Sequence, residues 1–505
     1  MSRDGDERPP VVGVDVGGTF TDVVLLADRE VTTVKVPTTD DQSAGVMQGL
    51  TRACSVADID PSEIAAFSHA MTVSVNALLE SAGATTALVT TDGFQDVLEI
   101  GRQDRPELYD LDAEKPTPLV PQQRRFEIDE RATVEGIERP VDEREVDALA
   151  ADLADSDIES VAVCFLHAYA HPENEQRVAE ILRERLDVPV SASHEVLAEF
   201  REYERTSTTV VDAYVRPPIQ RYLARLDERA TAAGVPTPRI MQSNGGIADS
   251  STVRERAVTT VLSGPAAGVI SADAVETDRE GLITFDMGGT SSDVSLVQES
   301  GAEITTDAEI DGRPISTPMV DIHTVGAGGG SIGWVDAGGA LRVGPQSAGA
   351  TPGPAAYGRG GTEPTVTDAN VVLGYMGEDA ELGGDLSLDA EAAHAALDSL
   401  AEAAGLDDAL AAARGVYRVA NANMTRAIRA VTVERGHDPR RFGLCAFGGA
   451  GPMHAAPIAD TLGVETVVVP YASGVRSAFG LLSADEKHDA ARTVRTPLSE
   501  LGTET

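Results

Sequence analysis

The hydrophobic positions of this chain fall into short apolar runs separated by longer amphipathic stretches. The apolar runs predict β-strands at residues 11–16, 22–27, 31–36, 86–90, 159–166, 282–286, 293–297, 443–447 and 465–470. Helical periodicity lies between many of them, for example from residues 141, 173 and 387 and over a long stretch from about 406 to 436. Strands that alternate with helices predict an α/β fold.

Two segments interrupt this pattern. Pro217 and Pro218 lie within a helical pattern and should break or kink it, because proline lacks the amide N–H of the helix ladder. Residues 324–362 are dense in glycine, yet the apolar residues between the glycines favour ordered binding loops over a linker. We predict two domains, residues 11–197 and 198–490, between tails at residues 1–10 and 491–505.

One short string occurs twice. Residues 14–26 ("VDVGGTFTDVVLL") and 285–297 ("FDMGGTSSDVSLV") agree at seven of thirteen positions, at an offset of 271 residues. That offset is far longer than the period of a solenoid. The repeat is typical of two related domains that face a shared cleft.

Each copy holds a D-x-G-G-T turn between two strand patterns. A P-loop needs a lysine after its glycines, and none of the three lysines of the chain has that context. A Rossmann motif leads into a helix, whereas a second strand follows here. We therefore predict two hairpins whose glycines take positive φ and whose backbone N–H groups hold phosphate. The predicted phosphate-binding residues are Gly17, Gly18, Thr19, Gly288, Gly289 and Thr290.

An aspartate lies two residues before the glycine pair in each copy. A bare carboxylate would repel phosphate, but Asp15 and Asp286 together could hold a hydrated Mg²⁺ that bridges to the phosphates of ATP. Asp22 and Asp293, on the second strand of each hairpin, could orient water or support the magnesium. The alternative is two tight hairpins whose aspartates only cap their turns. Because the motif is paired, the nucleotide site is favoured.

A third glycine loop occurs late in the chain, in "LCAFGGAGPMHA". It follows a predicted strand and opens a helix with Pro452 in its first turn. Gly448, Gly449 and Gly451 would let a planar group approach the backbone, so that the start of the helix could face a phosphate or ribose. A plain strand-to-helix turn is the competing interpretation.

The three loops together resemble those of the actin/hexokinase/heat-shock-protein-70 class of ATPases. Within that class, the chain resembles the hydantoinase A/5-oxoprolinase family over residues 11–490. The resemblance rests on long motifs, among them "GVDVGGTFTD", "FQDVLEIGRQDRPELYDL", "SHEVLAEFREYERTSTTVVDAYV", "MQSNGG", "SGPAAGV", "FDMGGTSSDVSLV", "VDIHTVGAGGGSI" and "FGGAGPMHA".

This resemblance implies two actin-like (ribonuclease H-like) domains that flank a nucleotide cleft, with inserted glycine-rich loops. It also implies ATP-dependent opening of a cyclic amide such as 5-oxoproline or an N-substituted hydantoin, with ATP and Mg²⁺ as cofactors. A hydantoinase B-like partner subunit and a larger oligomer would be expected. The first alternative is an ATP-using subunit of an acetone- or acetophenone-type carboxylase, and the second is a non-catalytic actin-like ATP-binding scaffold.

Further catalytic candidates come from motifs of the same family. Asp321 and His323 precede a glycine loop and could position water, bind a divalent metal or act as a base, or could be structural strand-end residues. His69, in "HAMTVSVNALLE", has the same two interpretations. The family usually has H-G-T-T at this point. If the loop lines the substrate pocket, Ala70 and Met71 would imply a more apolar or different substrate.

Charge and composition narrow the range of partners. The chain has 40 basic and 82 acidic residues, a net charge of −42, which argues against a nucleic-acid or anionic-membrane partner. Such an acidic surface resembles that of halophilic proteins. The absence of a signal peptide and of long apolar runs predicts a cytoplasmic protein, and the three cysteines are expected to be reduced core thiols. Arg102 and Arg105 could clamp an anion or pair with nearby acids.

Overall fold

A computed structural model describes residues 9–39, 41–105, 109–110, 112–377, 381–382 and 386–494. Residues 1–8 and 495–505, which hold most of the two predicted tails, lie outside this part of the chain. Three main sheets and the helices packed on them form the fold, so the predicted α/β class is confirmed.

The first sheet carries the first D-x-G-G-T turn. Its six strands, in spatial order, are Ile247–Asp249, Arg239–Met241, Ala66–Ala70, Val11–Val16, Phe20–Ala27 and Glu30–Pro37. The last three form an antiparallel meander, and Ala66–Ala70 lies parallel to Val11–Val16. The first two strands follow residue 197 in the chain, so this sheet takes strands from both predicted domains, and the division itself stays a prediction.

The third sheet repeats this arrangement around the second turn. Its main strands, in spatial order, are Gly301–Ala302, Ser292–Gln298, Gly281–Met287, Gly443–Phe447 and Val467–Val468, with His323–Val325 paired to Ser292–Gln298. Gly281–Met287 is antiparallel to Ser292–Gln298 and parallel to Gly443–Phe447. Each half of the molecule therefore has a hairpin with a parallel strand beside its first strand.

The second sheet is wholly parallel. Its strands, in spatial order, are Val190–Ala192, Ser160–Cys164, Thr86–Thr91 and Arg125–Ile128. Every residue of its two central strands is buried, as expected for parallel strands covered on both faces. Residues of helices Glu143–Ala154 and Glu173–Arg185 complete its core.

The remaining elements connect and cover these sheets. The other helices are Gln42–Ala57, Val73–Leu79, Val97–Ile100, Ser193–Val196, Glu202–Ala232, Ser250–Glu255, Ser263–Asp273, Val366–Val372, Ala390–Ala404, Ala409–Val431, Gly451–Leu462 and Arg476–Gly480. Two-stranded ribbons pair Arg131–Thr133 with Gly136–Arg139, Ile304–Thr305 with Met319–Val320, Ala308–Ile310 with Arg313–Ile315, Ser331–Val335 with Leu341–Ser347, and Glu381–Leu382 with Leu386–Ser387. Within the described residues, no helix has the length and apolar character needed to cross a bilayer.

The long helix Glu202–Ala232 passes through Pro217 and Pro218, so the predicted break does not occur. Proline 218 cannot donate to the carbonyl of Tyr214, four residues earlier. The N–H of Ala84 donates to that carbonyl instead, at 2.9 Å. A residue from outside the helix thus donates to the carbonyl that the proline leaves free, and this hydrogen bond offsets part of the cost of keeping the helix continuous.

The glycine-rich segment is ordered, as its apolar residues predict. It forms the ribbon Ser331–Val335 with Leu341–Ser347, and the indole N–H of Trp334 donates to the carbonyl of Gly344 at 2.9 Å. The three cysteines are free and buried, in agreement with their prediction as core thiols.

Candidate functional site

The two D-x-G-G-T turns meet across one cavity of about 490 Å³. A Cβ atom built on Gly289 would lie only 3.6 Å from the hydroxyl oxygen of Thr19, so the tips of the two hairpins face each other. All six predicted phosphate-binding residues line this cavity, together with Asp15 and Asp286. The central expectation from the repeat is therefore confirmed in its geometry.

The two hairpins are built alike. In the first, Asp15 pairs with Asp22 across the strands, and the N–H of Gly17 donates to the carbonyl of Phe20 at 2.9 Å. In the second, Asp286 pairs with Asp293, and the N–H of Gly288 donates to the carbonyl of Ser291 at 3.0 Å. The same register places two carboxylates at the end of each hairpin.

The expected positive φ of the hairpin glycines is wrong. None of Gly17, Gly18, Gly288 and Gly289 is among the residues with positive φ. Backbone strain therefore does not explain these glycines. A Cβ on Gly18 would meet no heavy atom within 4 Å although this residue lines the cavity, so a side chain there would occupy the cavity itself. Glycine keeps this space open for a ligand.

Asp15 lies in an environment that disfavours its charge. Its Oδ1 atom is buried and has no hydrogen-bond partner. Desolvation raises the pKa of Asp15 to about 8, the negative charges of Asp22 and Asp286 add to the rise, and Lys35 opposes it. A buried carboxylate without a donor is costly, and a cation beside it would remove that cost.

Asp286 lies in a similar environment in the second half. Desolvation raises its pKa to about 7, with further contributions from the charges of Asp293 and Asp22. The hydroxyl of Ser477, 3.5 Å from Oδ2, and the charge of Lys35 oppose the rise. Both predicted magnesium-binding aspartates are thus held where a positive ion would stabilise them.

The second aspartate of each hairpin has a different partner. Asp22 forms an ion pair with Lys35, with Nζ 2.5 Å from Oδ1. Asp293 accepts a hydrogen bond of 2.6 Å from the hydroxyl of Thr324, while desolvation raises its pKa to about 6. Among the described residues, a cation pairs with this aspartate in the first hairpin and a neutral hydroxyl takes its place in the second.

These residues fit a magnesium–nucleotide complex in which the protein supplies only a few of the ligands of the metal. Among the described residues, no cluster of three or more histidine, cysteine, aspartate or glutamate side chains is arranged to hold a metal. Mg²⁺ commonly keeps several waters and takes one or two carboxylates together with phosphate oxygens. Asp15 with its unpartnered Oδ1, Asp286 and the open space at Gly18 meet that requirement.

The late glycine loop adjoins the same cavity. Gly448 has φ of +80°, and a Cβ there would lie 2.3 Å from Oδ1 of Asp286, so glycine is required by both conformation and space. Gly449 lines the cavity with open space at its Cβ position. Gly451 begins helix Gly451–Leu462 with Pro452 in the first turn, as predicted, but is not among the lining residues.

Helix Ser263–Asp273, from the "SGPAAGV" motif, contacts both hairpins. A Cβ on Gly264 would lie 3.0 Å from Oδ1 of Asp15, and one on Gly268 would lie 3.3 Å from Oδ2 of Asp286. The two glycines are one helical turn apart and therefore lie on the same face. The motif therefore brings backbone close to both aspartates.

His69 does not reach the cavity. Its ring is fully buried, with Nδ1 2.9 Å from the carbonyl oxygen of Val14 and Nε2 2.7 Å from the hydroxyl of Tyr222. Desolvation lowers its pKa to about 4, so the ring is neutral at physiological pH. Its position supports a structural role beneath the first hairpin in place of the predicted catalytic one.

The altered residues next to His69 are also absent from the lining of the cavity. Ala70 is fully buried and Met71 is 1% exposed, and neither lines the cavity. Thr72 does line it, and its hydroxyl is buried without a hydrogen-bond partner. Both side chains are part of the core beside this cavity, and their influence on the choice of substrate stays a prediction.

Asp321 and His323 lie outside the cavity as well. Asp321 is paired with the guanidinium of Arg435, which binds both of its carboxylate oxygens. His323 is exposed and lines a separate groove of about 380 Å³ with Arg426 and Glu434. Strand His323–Val325 does border the second hairpin, but through its backbone and Thr324. The predicted joint role in catalysis has no support from this placement.

Arg102 and Arg105 line a further cavity of about 1010 Å³, away from the hairpins. The Nε of Arg102 donates to Oε1 of Glu204 at 2.7 Å, and a second bond joins Nη2 to Oε2. Pairing with an acid is therefore what the structure shows for Arg102, although the acid is far away in the sequence.

Lys35 and Arg476 are lining residues that the sequence did not indicate, whereas Gly329 and Gly330 come from the glycine-rich segment predicted to form binding loops. Lys35 reaches the cavity from strand Glu30–Pro37, and its rarity as one of three lysines was the available signal. Gly329 and Gly330 line it too, and their N–H groups donate to the carbonyls of Gly288 and Gly289 at 2.9 and 2.6 Å. Arg476 lines it from helix Arg476–Gly480.

Comparison with known proteins matches the chain to two family models. Residues 11–186 match the hydantoinase/oxoprolinase N-terminal region, and residues 205–490 match hydantoinase/oxoprolinase. The chain is 40% identical to the caprolactamase subunit alpha of Pseudomonas jessenii over 506 residues, covering 97% of this chain and 72% of that one. The crystal structure of the ATP-dependent caprolactamase from the same organism superposes with a TM-score of 0.83 at 37% identity, covering 94% of this chain and 71% of that one.

Two other relatives have different names. The acetophenone carboxylase gamma subunit of Aromatoleum aromaticum is 37% identical over 520 residues, covering 98% of this chain and 70% of that one. The 5-oxoprolinase of Saccharomyces cerevisiae is 35% identical over 532 residues, covering 94% of this chain but only 41% of its own length. With both family models matched along nearly the whole chain and the paired hairpins in place, this protein belongs to the hydantoinase/oxoprolinase family.

Proposed function

We propose that this chain is the ATP-using subunit of a hydrolase that opens a cyclic amide. The observation that carries the proposal is the meeting of two acid-bearing hairpins on one cavity. Relatives in the same family include an ATP-dependent caprolactamase and a 5-oxoprolinase, whose names both denote cyclic amides.

The chemistry explains why ATP is needed. An amide carbonyl is a poor electrophile, so water adds to it slowly. Transfer of the terminal phosphoryl group breaks its bond to the ADP oxygen and forms a bond to the amide oxygen. Water can then add at the activated carbon, the C–N bond breaks, and phosphate leaves. Phosphoryl transfer asks the protein mainly for positioning and charge neutralisation.

The residues of the cavity suit that task. The N–H groups at the two hairpin tips, Gly17–Thr19 and Gly288–Thr290, would hold phosphate oxygens. Asp15 and Asp286 would bind waters of Mg²⁺, which when bound neutralises charge on the phosphates. The loop at Gly448 and Gly449 would receive the nucleoside end of ATP.

A partner subunit is part of this proposal. The caprolactamase and acetophenone carboxylase relatives are both named as subunits of larger enzymes. A hydantoinase B-like chain that completes hydrolysis, within a larger oligomer, would fit an ATP-using chain of this kind. The hydrolysis of the activated amide would then occur where the two chains meet.

A carboxylase subunit is the second candidate function. It is favoured by the acetophenone carboxylase relative, whose identity of 37% is close to that of the caprolactamase. The same phosphoryl transfer would then activate a ketone or bicarbonate. A non-catalytic ATP-binding scaffold is a third possibility that the fold alone allows.

Phosphate release from Mg-ATP separates these functions. The chain would be assayed in high salt with 5-oxoproline, hydantoins, caprolactam, or a ketone plus bicarbonate, each with and without a hydantoinase B-like subunit. Stimulation by a cyclic amide alone supports the proposal. A requirement for bicarbonate selects the carboxylase, and turnover that no small molecule changes favours the scaffold.

A further inference from the structure

The lining of the cavity holds more acidic than basic side chains. Its acidic lining residues are Asp15, Asp22, Asp286 and Asp293, and its lysine and arginine, among the residues that the structure describes, are Lys35 and Arg476. A triphosphate brings several negative charges of its own. A cation from the protein, as well as one from solution, would therefore favour its binding beside four acidic side chains.

Arg476 is held in place by other contacts. Its Nε donates to the hydroxyl of Ser271 at 3.0 Å, and Nη2 donates to the carbonyl of the same residue at 2.5 Å. Its guanidinium lies 4.6 Å from the centroid of the Phe479 ring. These contacts fix the arginine against helix Ser263–Asp273, so it serves the packing around the cavity.

Lys35 is much less constrained. Its side chain is 26% exposed, and its charged partner is Asp22, with an N–O distance of 2.5 Å. Its Nζ also lies 5.2 Å from the centroid of the Phe20 ring. Both groups of this pair line the cavity, so a phosphate that enters the cavity can compete with Asp22 for the ammonium.

The position of Lys35 also breaks the symmetry between the two halves. The corresponding aspartate of the second hairpin, Asp293, has the neutral hydroxyl of Thr324 as its partner. The second half instead supplies the glycine loop at Gly448 and Gly449, on the strand parallel to its own hairpin. The nucleoside would therefore lie on the side of the second half, and the lysine on the opposite side, where the triphosphate ends.

We propose that Lys35 is a catalytic residue whose ammonium leaves Asp22 and binds the terminal phosphate of ATP. This inference rests on the proposed function only in taking ATP as the ligand. No bond to Lys35 is made or broken. Its positive charge stabilises the phosphoryl group during transfer, and the exchange frees the carboxylate of Asp22 to accept a hydrogen bond from water.

Nucleotide affinities test this role without relying on turnover. Isothermal titration calorimetry with Mg-ATP and Mg-ADP would compare the wild type with Lys35→Gln and Lys35→Arg. Because a hydrogen bond to a charged group is lost, Lys35→Gln is expected to weaken ATP binding about 10- to 100-fold. ADP binding should change by less than about 3-fold, and Lys35→Arg should keep most of the preference for ATP.

Lys115→Gln is the matched control. It removes the same charge from a lysine whose Nζ lies 3.2 Å from the carbonyl oxygen of Ile100, in the separate large cavity. It should leave both affinities at the wild-type level. Thermal unfolding of each variant would establish that it is folded. If Lys35→Gln does not fold, the ratio of the ATP and ADP affinities of Lys35→Arg, compared with that of the wild type, decides whether the inference holds.

The possible outcomes separate this inference from the proposed function. Equal losses of ATP and ADP affinity would assign Lys35 a structural role and overturn the inference. So would a Lys35→Gln variant that keeps the wild-type preference for ATP, and in that case the proposed function survives. A folded wild-type chain that binds neither nucleotide would overturn both.

Discussion

The first and second hairpins share a register but differ in what surrounds them. In both, an aspartate near the tip faces a second aspartate across the strands, and a turn of two glycines follows. In the first half, the neighbouring lysine at position 35 belongs to the next strand of the meander. In the second half, the short strand His323–Val325 takes the place of that neighbouring strand, and its Thr324 donates to Asp293. The glycine loop at Gly448 packs against Asp286, the first aspartate of this hairpin.

This difference indicates a division of labour within a duplicated frame. The repeated part supplies aspartates and backbone N–H groups to both sides of one cavity. The parts that differ supply a lysine on one side and close backbone packing on the other. Similar chemistry at the centre of the cavity thus coexists with different surroundings at its two sides, as the binding of a nucleotide would require.

The largest effect is expected from the shared aspartates. Asp15→Asn and Asp286→Asn should each lower phosphate release from Mg-ATP by about 100- to 1000-fold, because under the proposed function each removes a charge that would position the magnesium. The double variant should be little worse than either single one, since the two act as a unit. Asp129→Asn, at an exposed ion pair with Arg139, is the control and should retain activity. Full activity in either single variant would show that the halves are not equivalent in metal binding.

Substitutions at Gly448 and Gly18 should distinguish a glycine that the fold requires from one that nucleotide binding requires. Gly448→Ala, at positive φ and against Asp286, is expected to lower the free energy of unfolding by about 2–4 kcal/mol. The added methyl group of Gly18→Ala would lie in open space, so the free energy of unfolding should change by less than about 0.5 kcal/mol. The same substitution should weaken nucleotide binding. Chemical denaturation and calorimetry would measure both quantities. Equal destabilisation by the two substitutions would contradict this distinction.

A smaller effect should appear in the pH dependence of stability. The pKa of Asp15 rises from its usual 3.8 to about 8 in the fold, so the folded chain holds a proton that the unfolded chain releases. The contribution of Asp15 to the free energy of unfolding is therefore fully present below pH 4 and is lost as the pH rises towards 8. The free energy of unfolding of the wild type, less that of Asp15→Asn, should therefore fall over this range by at most about 1.4 kcal/mol per pH unit.

The same measurement on Asp286→Asn sharpens the comparison of the halves. The pKa of Asp286 rises to about 7, so its contribution to the free energy of unfolding should be fully lost at a pH about one unit lower than that of Asp15. Urea unfolding at several pH values, without nucleotide, would give both curves. A difference that is flat with pH for both variants would mean that neither carboxyl is protonated in the fold.

Local patterns in the sequence were sufficient to predict both hairpins, because each needs only two apolar runs and a glycine turn between them. The strand Ala66–Ala70 was missed, since its five residues include serine and histidine and it is stabilised by its neighbours in the sheet. The paired motif correctly indicated the shared cavity, as two related halves had to face each other to use it.

Side-chain partners distant in sequence were beyond such prediction. His69 is bound by Tyr222, 153 residues later, and Asp321 by Arg435, 114 residues later. A polar residue in a family motif can serve the fold as well as the reaction, and only its neighbours distinguish the two. Lys35 shows the reverse case, because cross-strand pairing with Asp22 brings it to the cavity without any motif of its own.

The helix Ser263–Asp273 has a consequence for how the two halves can move. A Cβ on Gly264 would lie 3.0 Å from Asp15 and one on Gly268 would lie 3.3 Å from Asp286, so the backbone of the helix passes close to both acids at points four residues apart, about 6 Å of axial rise. If both close approaches persist when a nucleotide binds, the helix limits how far the two acids can separate. Opening to admit a nucleotide would then be a rotation that preserves the spacing of Asp15 and Asp286.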